Sequence, residues 1–526
     1  MIAFRIPEAT GHRRVRPSWG IVPPLTLALG LVPPLMLALG LVAATVLPSG
    51  AQEPAGRTAV ESLQFDPLRF TPPEAERYEV EGVVVFFLPD ASLPLVDVLA
   101  RFEGGYARFG RENYAAATAL PSLLRTGGTD GLTPDSVDVL MESLALQTTF
   151  GTAGGAVTAS LNTLRDALDP ALDLWWAMLT RPGFDPDAVE VWRGRQLESV
   201  LRRIDDPGRL AFSEFNRLMY GDHPIGWEMD AADLRPERLD RDALRRVHGR
   251  IACREQLVLG VSGDVTWDEV RPRLERLVAS LASCAAPVPE APIPEIRREP
   301  GVFLIPRDLD QSTIVLAHTT SLRQGASDAF FASRIGNTLL GAGGFSSRLV
   351  GRVRTEEGYA YAASSLWTTP ERYDGLIGAT TRTRPEATVA ALRVILDVFD
   401  EMREAPPTET AVRDAVDEFV NGFVFAFSSP VQIVARRISY EAAGLPEDWL
   451  GRYVDGIQRV DPEAVQAVFR RHLDPDRMTV LVVGNPEALD EPLEALGYGP
   501  VTVIDPDAGS DPGATSAPSG SPRFRR

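Results

Sequence analysis

The sequence predicts an α+β protein made of two tandem, homologous α/β units, each a sheet covered by helices. Two observations carry that prediction. The same order of patterns occurs twice at a nearly constant offset: Gly263 and Gly484 are 221 positions apart, and Pro89 and Pro306 are 217 apart. Between the copies, residues 285–300 contain Pro287, Pro289, Pro292, Pro294 and Pro300, a composition that favours an extended connection over helix or central strand.

Each copy opens with two β-rich apolar runs around a Pro/Asp turn: Val83–Leu88 and Leu95–Phe102 in the first, Val302–Ile305 and Ile314–Ala317 in the second. A helix follows, then a glycine-bearing loop (Gly127-Gly128; Gly341-Ala342-Gly343-Gly344) and a further extended segment. A long amphipathic helix comes next. Leu168, Leu172, Trp175 and Leu179 fall on one face at 3.6 residues per turn, as do Val389, Leu392, Leu396, Phe399 and Met402. These stripes are core, and the pair Trp175-Trp176 is read the same way. Each copy closes on a strand and a glycine turn, Gln256–Asp264 and Met478–Asn485. The expected segments are thus 76–284 for the first unit, 285–300 for the linker and 301–504 for the second unit.

The flanks differ from the body. Residues 1–51 read as an export signal, with Arg5, Arg13, Arg14 and Arg16, an apolar run from Ile21 to Leu47, and Ser49-Gly50-Ala51 as a small-residue cleavage site. The rival reading of residues 21–47 is an uncleaved membrane anchor. Either way the body is expected outside the cytoplasm, periplasmic or extracellular. Residues 52–75 form an N-terminal extension, and the Gly/Ser/Pro/Ala-rich tail 505–526 lacks apolar periodicity and is expected to be disordered.

Composition narrows function. The 526 residues carry 53 basic and 72 acidic side chains, a net charge of −19, and no nucleic-acid-reading motif, so nucleic acid is not an expected partner. The two cysteines, Cys253 and Cys284, could close a 31-residue loop worth about 3–4 kcal/mol in an oxidising compartment, or remain two buried thiols. The five histidines, His12, His223, His248, His318 and His472, are nowhere closer than 25 positions, which excludes every metal motif needing two within a helical turn. His223 sits in a turn and His318 ends an apolar strand; both read as structural. Asp205-Asp206-Pro207 reads as a loop or helix boundary.

Several stretches in this order resemble the pitrilysin/insulinase family of zinc metallopeptidases, including processing peptidases and their bacterial two-subunit relatives. They are Leu124–Thr129, Asp205-Asp206-Pro207, Tyr220–Gly226, Leu339–Leu349 and Arg354–Tyr361. The resemblance covers roughly residues 75–500 and implies the LuxS/processing-peptidase-like metallopeptidase fold. Active members carry His-x-x-Glu-His on the first-unit helix and a distal Glu ligand. Counted from Gly128-Thr129 and from Asp205–Pro207, those positions here fall on Ala119, Ser122, Leu123 and Ser199. Ala and Leu offer a metal no lone pair, and a Ser hydroxyl is too weak a base to replace a carboxylate. Pro121 argues further against an unperturbed helix there. Catalytic residues and a metal are therefore expected to be absent from this chain.

The second unit keeps more of the family pattern. The resemblance implies that Arg354 and Tyr361, seven positions apart on a substrate-clamping strand, hold peptide backbone and the tetrahedral intermediate. It also implies that the loop with Gly341, Gly343, Gly344 and Phe345 admits peptide. The implied role is the non-catalytic subunit of a heteromeric peptidase. Its partner would be a sister chain that bears the zinc motif and the zinc, and its substrates unfolded peptides. The alternative is a peptidase-derived pseudo-enzyme acting as peptide-binding or assembly scaffold. A homodimer with zinc-independent hydrolysis is the weakest option, since no nucleophile and base present themselves.

Overall fold

The computed structural model describes residues 74–506, apart from 154 and 288. The export signal, nearly all of the N-terminal extension and nearly all of the tail lie outside the described residues. Two six-stranded mixed sheets form the framework. The first has the order β1-β2-β6-β3-β5-β4, with β1 Glu76–Val80, β2 Val83–Pro89, β3 Leu95–Glu103, β4 Gln147–Ala153, β5 Ala156–Leu164 and β6 Leu257–Gly263. The second has the order β12-β7-β11-β8-β10-β9, with β7 Gly301–Pro306, β8 Ser312–Thr320, β9 Ala360–Trp367, β10 Gly375–Thr383, β11 Thr479–Gly484 and β12 Val501–Val503. Strands β2 to β6 and β7 to β11 therefore repeat one five-strand plan. Each contains one parallel pair, β2 with β6 and β7 with β11. The sixth strand differs: β1 precedes its sheet and pairs antiparallel, whereas β12 follows and pairs parallel.

The strands are apolar on both faces, and the burial explains why. All nine residues of β8 are buried. Val302, Leu304, Ile314, Leu316, Ile377, Ala379, Val480 and Val482 point into a core shared with the second half's own helices, including α9 (Thr388–Glu404) through Val389, Leu392, Phe399 and Met402. The alternating residues Phe303, Ile305, Val315, Ala317, Leu376, Leu481 and Val483 point the other way. What covers them is a helix of the first half, α5 (Pro207–Tyr220), through Leu210, Ala211, Phe215 and Met219. The exchange is reciprocal. In the first sheet, Phe86, Val84, Leu99 and Val258 are covered by Ile433, Val434 and Ile438 of α11 (Pro430–Ala442), a helix of the second half. The approach is close: a Cβ on Gly260 of β6 would fall 2.2 Å from a Val434 methyl, so only glycine lets α11 settle there. The other face of the first sheet packs on α3 (Leu168–Thr180), where Trp175 and Trp176 are both buried.

Local signals fix these cover helices. Asp206 caps α5, its carboxylate accepting the N–H groups of Gly208 at 2.9 Å and Arg209 at 3.1 Å, and Pro207 supplies the first helical residue. Burial of large side chains such as Phe215 then contributes about 1.5–3 kcal/mol each. Residues 289–300 run without helix or strand between the halves. They are tied to α5 and the turn after it, where the Arg297 N–H donates to Met219 O at 2.8 Å and His223 Nε2 bonds Pro292 O at 2.9 Å.

A buried ionic cluster braces the first half. Asp233, essentially unexposed, takes Nε–H of Arg111 at 3.1 Å and Nη1–H of Arg238 at 3.1 Å, while the Arg111 guanidinium lies over the rings of Tyr114 and Trp227. The structure also joins Cys253 to Cys284 in a disulfide. Among the described residues no single helix is long and apolar enough to cross a membrane.

Candidate functional site

Helix α1 (Tyr114–Thr126) carries the first-half positions. It runs unbroken through Pro121, against the expectation that this proline perturbs it. A proline inside a helix, which removes one hydrogen bond and crowds the preceding turn, costs about 3 kcal/mol. Nine of the 13 residues of α1 are buried, among them Leu120, Leu123 and Leu124, and their burial at about 1.5–3 kcal/mol each offsets that loss. Ala119 and Leu123 have no exposed surface; they are core. Ser122 is exposed on the opposite side. Ser199, on α4 (Pro186–Leu201), accepts a hydrogen bond from Nη1 of Arg209 at 2.9 Å. The donor set that zinc requires is therefore missing at all four positions, and Arg209 places a fixed cation beside the distal one.

The described histidines are dispersed and individually satisfied. His318 is buried, with Nδ1 bonded to Thr319 O at 2.8 Å and Nε2 accepting the Asp474 N–H at 2.8 Å. Both bonds fix the neutral ring, and burial pushes its pKa down to about 4. Burial likewise lowers His248, which bonds Leu179 O, and His472, which bonds the Thr320 hydroxyl.

The second-half site is built at the free edge of its sheet. Strand β9 pairs with β10 on one side only. Its register shifts between Arg382 and Thr383, which pair with Ala362 and Ala360, so Tyr361 is the extra residue of a β-bulge. A bulge turns its side chain out of the regular alternation. Tyr361 is accordingly 80% exposed, and Ala362 beside it is exposed as well.

Arg354 is not on a strand, as the sequence pattern suggested, but on a π-helical turn, Val350–Glu356, that precedes β9. Leu349 and Val353 anchor that turn in the core, and Arg352 ties it to α9 through Glu401 at 2.6 Å. Arg354 is thereby aimed outward with its guanidinium carbon 4.6 Å from the ring centres of both Tyr361 and Phe345. Phe345 is 74% exposed. The three side chains form an open aromatic–cation–aromatic stack whose N–H donors have no hydrogen-bond or ion-pair partner among the described residues.

The glycine loop also differs from expectation. Gly341 belongs to a second π-helical turn, Thr338–Ala342, and is buried. A Cβ there would lie 2.2 Å from the Ser365 nitrogen, so this glycine lets the turn press against β9 and is not open to a peptide. Gly343 packs on the Thr338 carbonyl, whereas Gly344 and Phe345 are exposed. The bulge at Tyr361 and both π turns escaped the sequence reading; Gly358-Tyr359-Ala360-Tyr361, with its break in period-two alternation, was the signal available.

Two sheets with exchanged cover helices, a degenerate first-half metal position and an outward Arg/Tyr pair at the second-half edge define the class: a duplicated metallopeptidase-type protein that lacks metal donors at that first-half position. Residues 238–419 match the family profile described as "Peptidase M16 inactive domain". Over that segment the chain is similar to this M16, or pitrilysin/insulinase, family. Among its relatives is an uncharacterized zinc protease of Streptomyces coelicolor, 28% identical over 309 residues; the match spans 57% of this chain and 66% of that protein. A Helicobacter pylori relative, described as a non-peptidase homolog, is 21% identical over 412 residues, 77% of this chain and 92% of its own. The solved M16 inactive domain from Pseudomonas fluorescens superposes with a TM-score of 0.71 at 24% identity, over 80% of this chain and 100% of that one.

Proposed function

We propose that this chain is the zinc-less subunit of an exported two-chain peptidase, in which a sister chain contributes the His-x-x-Glu-His site and this chain contributes substrate binding. The observation that carries the reading is the Phe345–Arg354–Tyr361 stack beside an unpaired strand edge. An extended, unfolded peptide adds to the free N–H and C=O groups of β9, which reads backbone and not sequence. Arg354 leaves its ring contacts, each worth about 0.5–1 kcal/mol, to donate to peptide carbonyls. The Tyr361 phenol donates to the oxygen on which negative charge develops. No step is assigned to Ala119, Ser122, Leu123 or Ser199.

The test is co-expression with a zinc-motif-bearing sister and cleavage of an unstructured peptide before and after Arg354→Ala and Tyr361→Phe. Unchanged cleavage in both variants overturns the composite site. A second reading, a peptide-holding scaffold with no active partner, is favoured by the Arg209–Ser199 contact, which sets a guanidinium beside the position of the distal ligand. It predicts peptide binding by the isolated chain that depends on Arg354, with no cleavage under any pairing. Metal analysis of the isolated, disulfide-intact chain serves both readings, because stoichiometric zinc in that form contradicts each of them.

A further inference from the structure

The base of the interdomain linker carries donor chemistry that the peptide-binding reading does not use. Cys253, Glu255 and Cys284 bring two sulfurs and a carboxylate oxygen within 4.8 Å of one another, the one such group among the described residues. In the disulfide form neither sulfur is a thiolate, and a neutral disulfide is a poor ligand. We propose that reduction of Cys253–Cys284 creates a site for a thiophilic divalent cation, Zn2+ or Cd2+, bound by both thiolates and Glu255.

The decisive point is that the disulfide is not what holds the two segments together. The Arg254 N–H donates to Ala282 O at 3.0 Å, and its Nη2 donates to Leu281 O at 3.0 Å. Glu255 accepts the Cys284 N–H at 2.6 Å. Three hydrogen bonds thus fasten residues 281–284 to residues 254–255 independently of the sulfurs, and they survive reduction. The thiols are released in place, not apart.

The surroundings suit a metal. Cys253 is 2% exposed and forms the floor, Cys284 is half-buried, and Glu255 is exposed, so the cluster is closed on one side and open to solvent on the other. Hydrogen bonding, first of all from the Cys284 N–H, holds the Glu255 carboxyl below its usual range, so it is an anion at neutral pH. Zinc bonds of about 2.3 Å to sulfur and about 2.0–2.2 Å to carboxylate oxygen need donors roughly 3.5 Å apart, a side-chain adjustment inside the pinned frame. Water fills the fourth position.

The chemistry balances. A phosphine reductant takes oxygen from water, becomes the phosphine oxide and leaves two S–H groups. Binding of the cation then releases both protons. This site shares no residue with α1, β9 or the stack, so it stands or falls apart from the proposed peptidase role.

The test uses the mature chain, reduced with a phosphine, freed of metal with a chelator and titrated with Zn2+ against a chromophoric competitor. The expected result is one equivalent bound by the reduced protein and none by the oxidised protein. Cd2+ should give thiolate-to-metal charge-transfer absorption in the reduced form only. Glu255→Gln should weaken binding about tenfold while keeping both thiols and the stoichiometry. Cys284→Ser should abolish it. A reduced protein with two thiols reactive to a thiol reagent and no bound metal overturns the proposal, as does equal binding by oxidised protein or by Cys284→Ser.

Discussion

The two halves share a five-strand plan and differ where that plan meets solvent. In the first, the helix beside edge strand β4 has turned its family metal positions into core, with Ala119 and Leu123 fully buried. In the second, the turn beside edge strand β9 pushes Arg354, Tyr361 and Phe345 outward, unpaired by any polar group described. The contrast separates two kinds of constraint. Sheet faces buried on both sides tolerate little change, so the framework persists; the edge is free to lose one chemistry and keep another.

The comparison breaks most severely where the halves depend on each other. Phe215→Ala strips α5 from the second sheet and should cost about 3–5 kcal/mol, and Ile438→Ala strips α11 from the first and should cost about 2–5 kcal/mol. Urea unfolding followed separately near each sheet checks the direction: each variant should destabilise the half that does not contain it at least as much as its own. Asp233→Ala probes the ionic cluster of the first half. Removing the buried carboxylate should cost about 1–3 kcal/mol, because Arg111 and Arg238 lose their shared acceptor while both guanidinium groups keep access to solvent.

Functional asymmetry gives the next effect. With an active sister chain, Tyr361→Phe should lower the cleavage rate constant about 100-fold or more, the usual consequence of losing an oxyanion donor. Thr148→Val on β4, the edge strand of the first sheet, should leave it within about twofold of the parent rate, since Thr148 already spends its hydroxyl on the Ser160 carbonyl. Equal losses at both edges would mean that the chemistry is not confined to the second half.

The smallest effect is acid sensitivity. His318, His248 and His472 all have folded-state pKa values below the unfolded value of about 6.5. Below that pH the unfolded chain takes up protons that the folded chain refuses. Stability should therefore be full above about pH 7 and fall as pH drops from about 6.5 toward 4, where His318 finally charges. Denaturation midpoints in His318→Gln should decline less steeply over that window than in the parent; an equal slope would remove His318 as a contributor.

Much of this was legible in the sequence, for physical reasons that differ by region. The strands announced themselves because burial on both faces makes Val302–Ile305 and Thr479–Gly484 continuously apolar. The capping carboxylate of Asp206 and the N1 proline marked the start of α5. The sequence also showed that Ala119 and Leu123 cannot bind metal, since that depends only on atom types. The exchange of cover helices left no local trace, because an amphipathic stripe does not say which sheet it will meet. Pro121 misled, because tertiary burial outweighs one backbone hydrogen bond. Arg354 was assigned to a strand because a π turn has no periodicity of its own in so short a segment, and the bulge at Tyr361 is a property of pairing, visible only with β10 in place.

The reciprocal helices also constrain how the molecule is made. A chain emerging N-terminus first completes the first sheet at residue 263, but the helix that seals its outer face begins only at residue 430. For the intervening stretch of synthesis or translocation, Phe86, Leu99 and their neighbours present an apolar surface with nothing of their own half to cover it. Such an intermediate exposes a template for aggregation and a surface for holding factors until α11 arrives. Release of a finished first half is thereby deferred to the end of the chain, and a truncation anywhere before residue 442 leaves an open sheet, not a smaller protein.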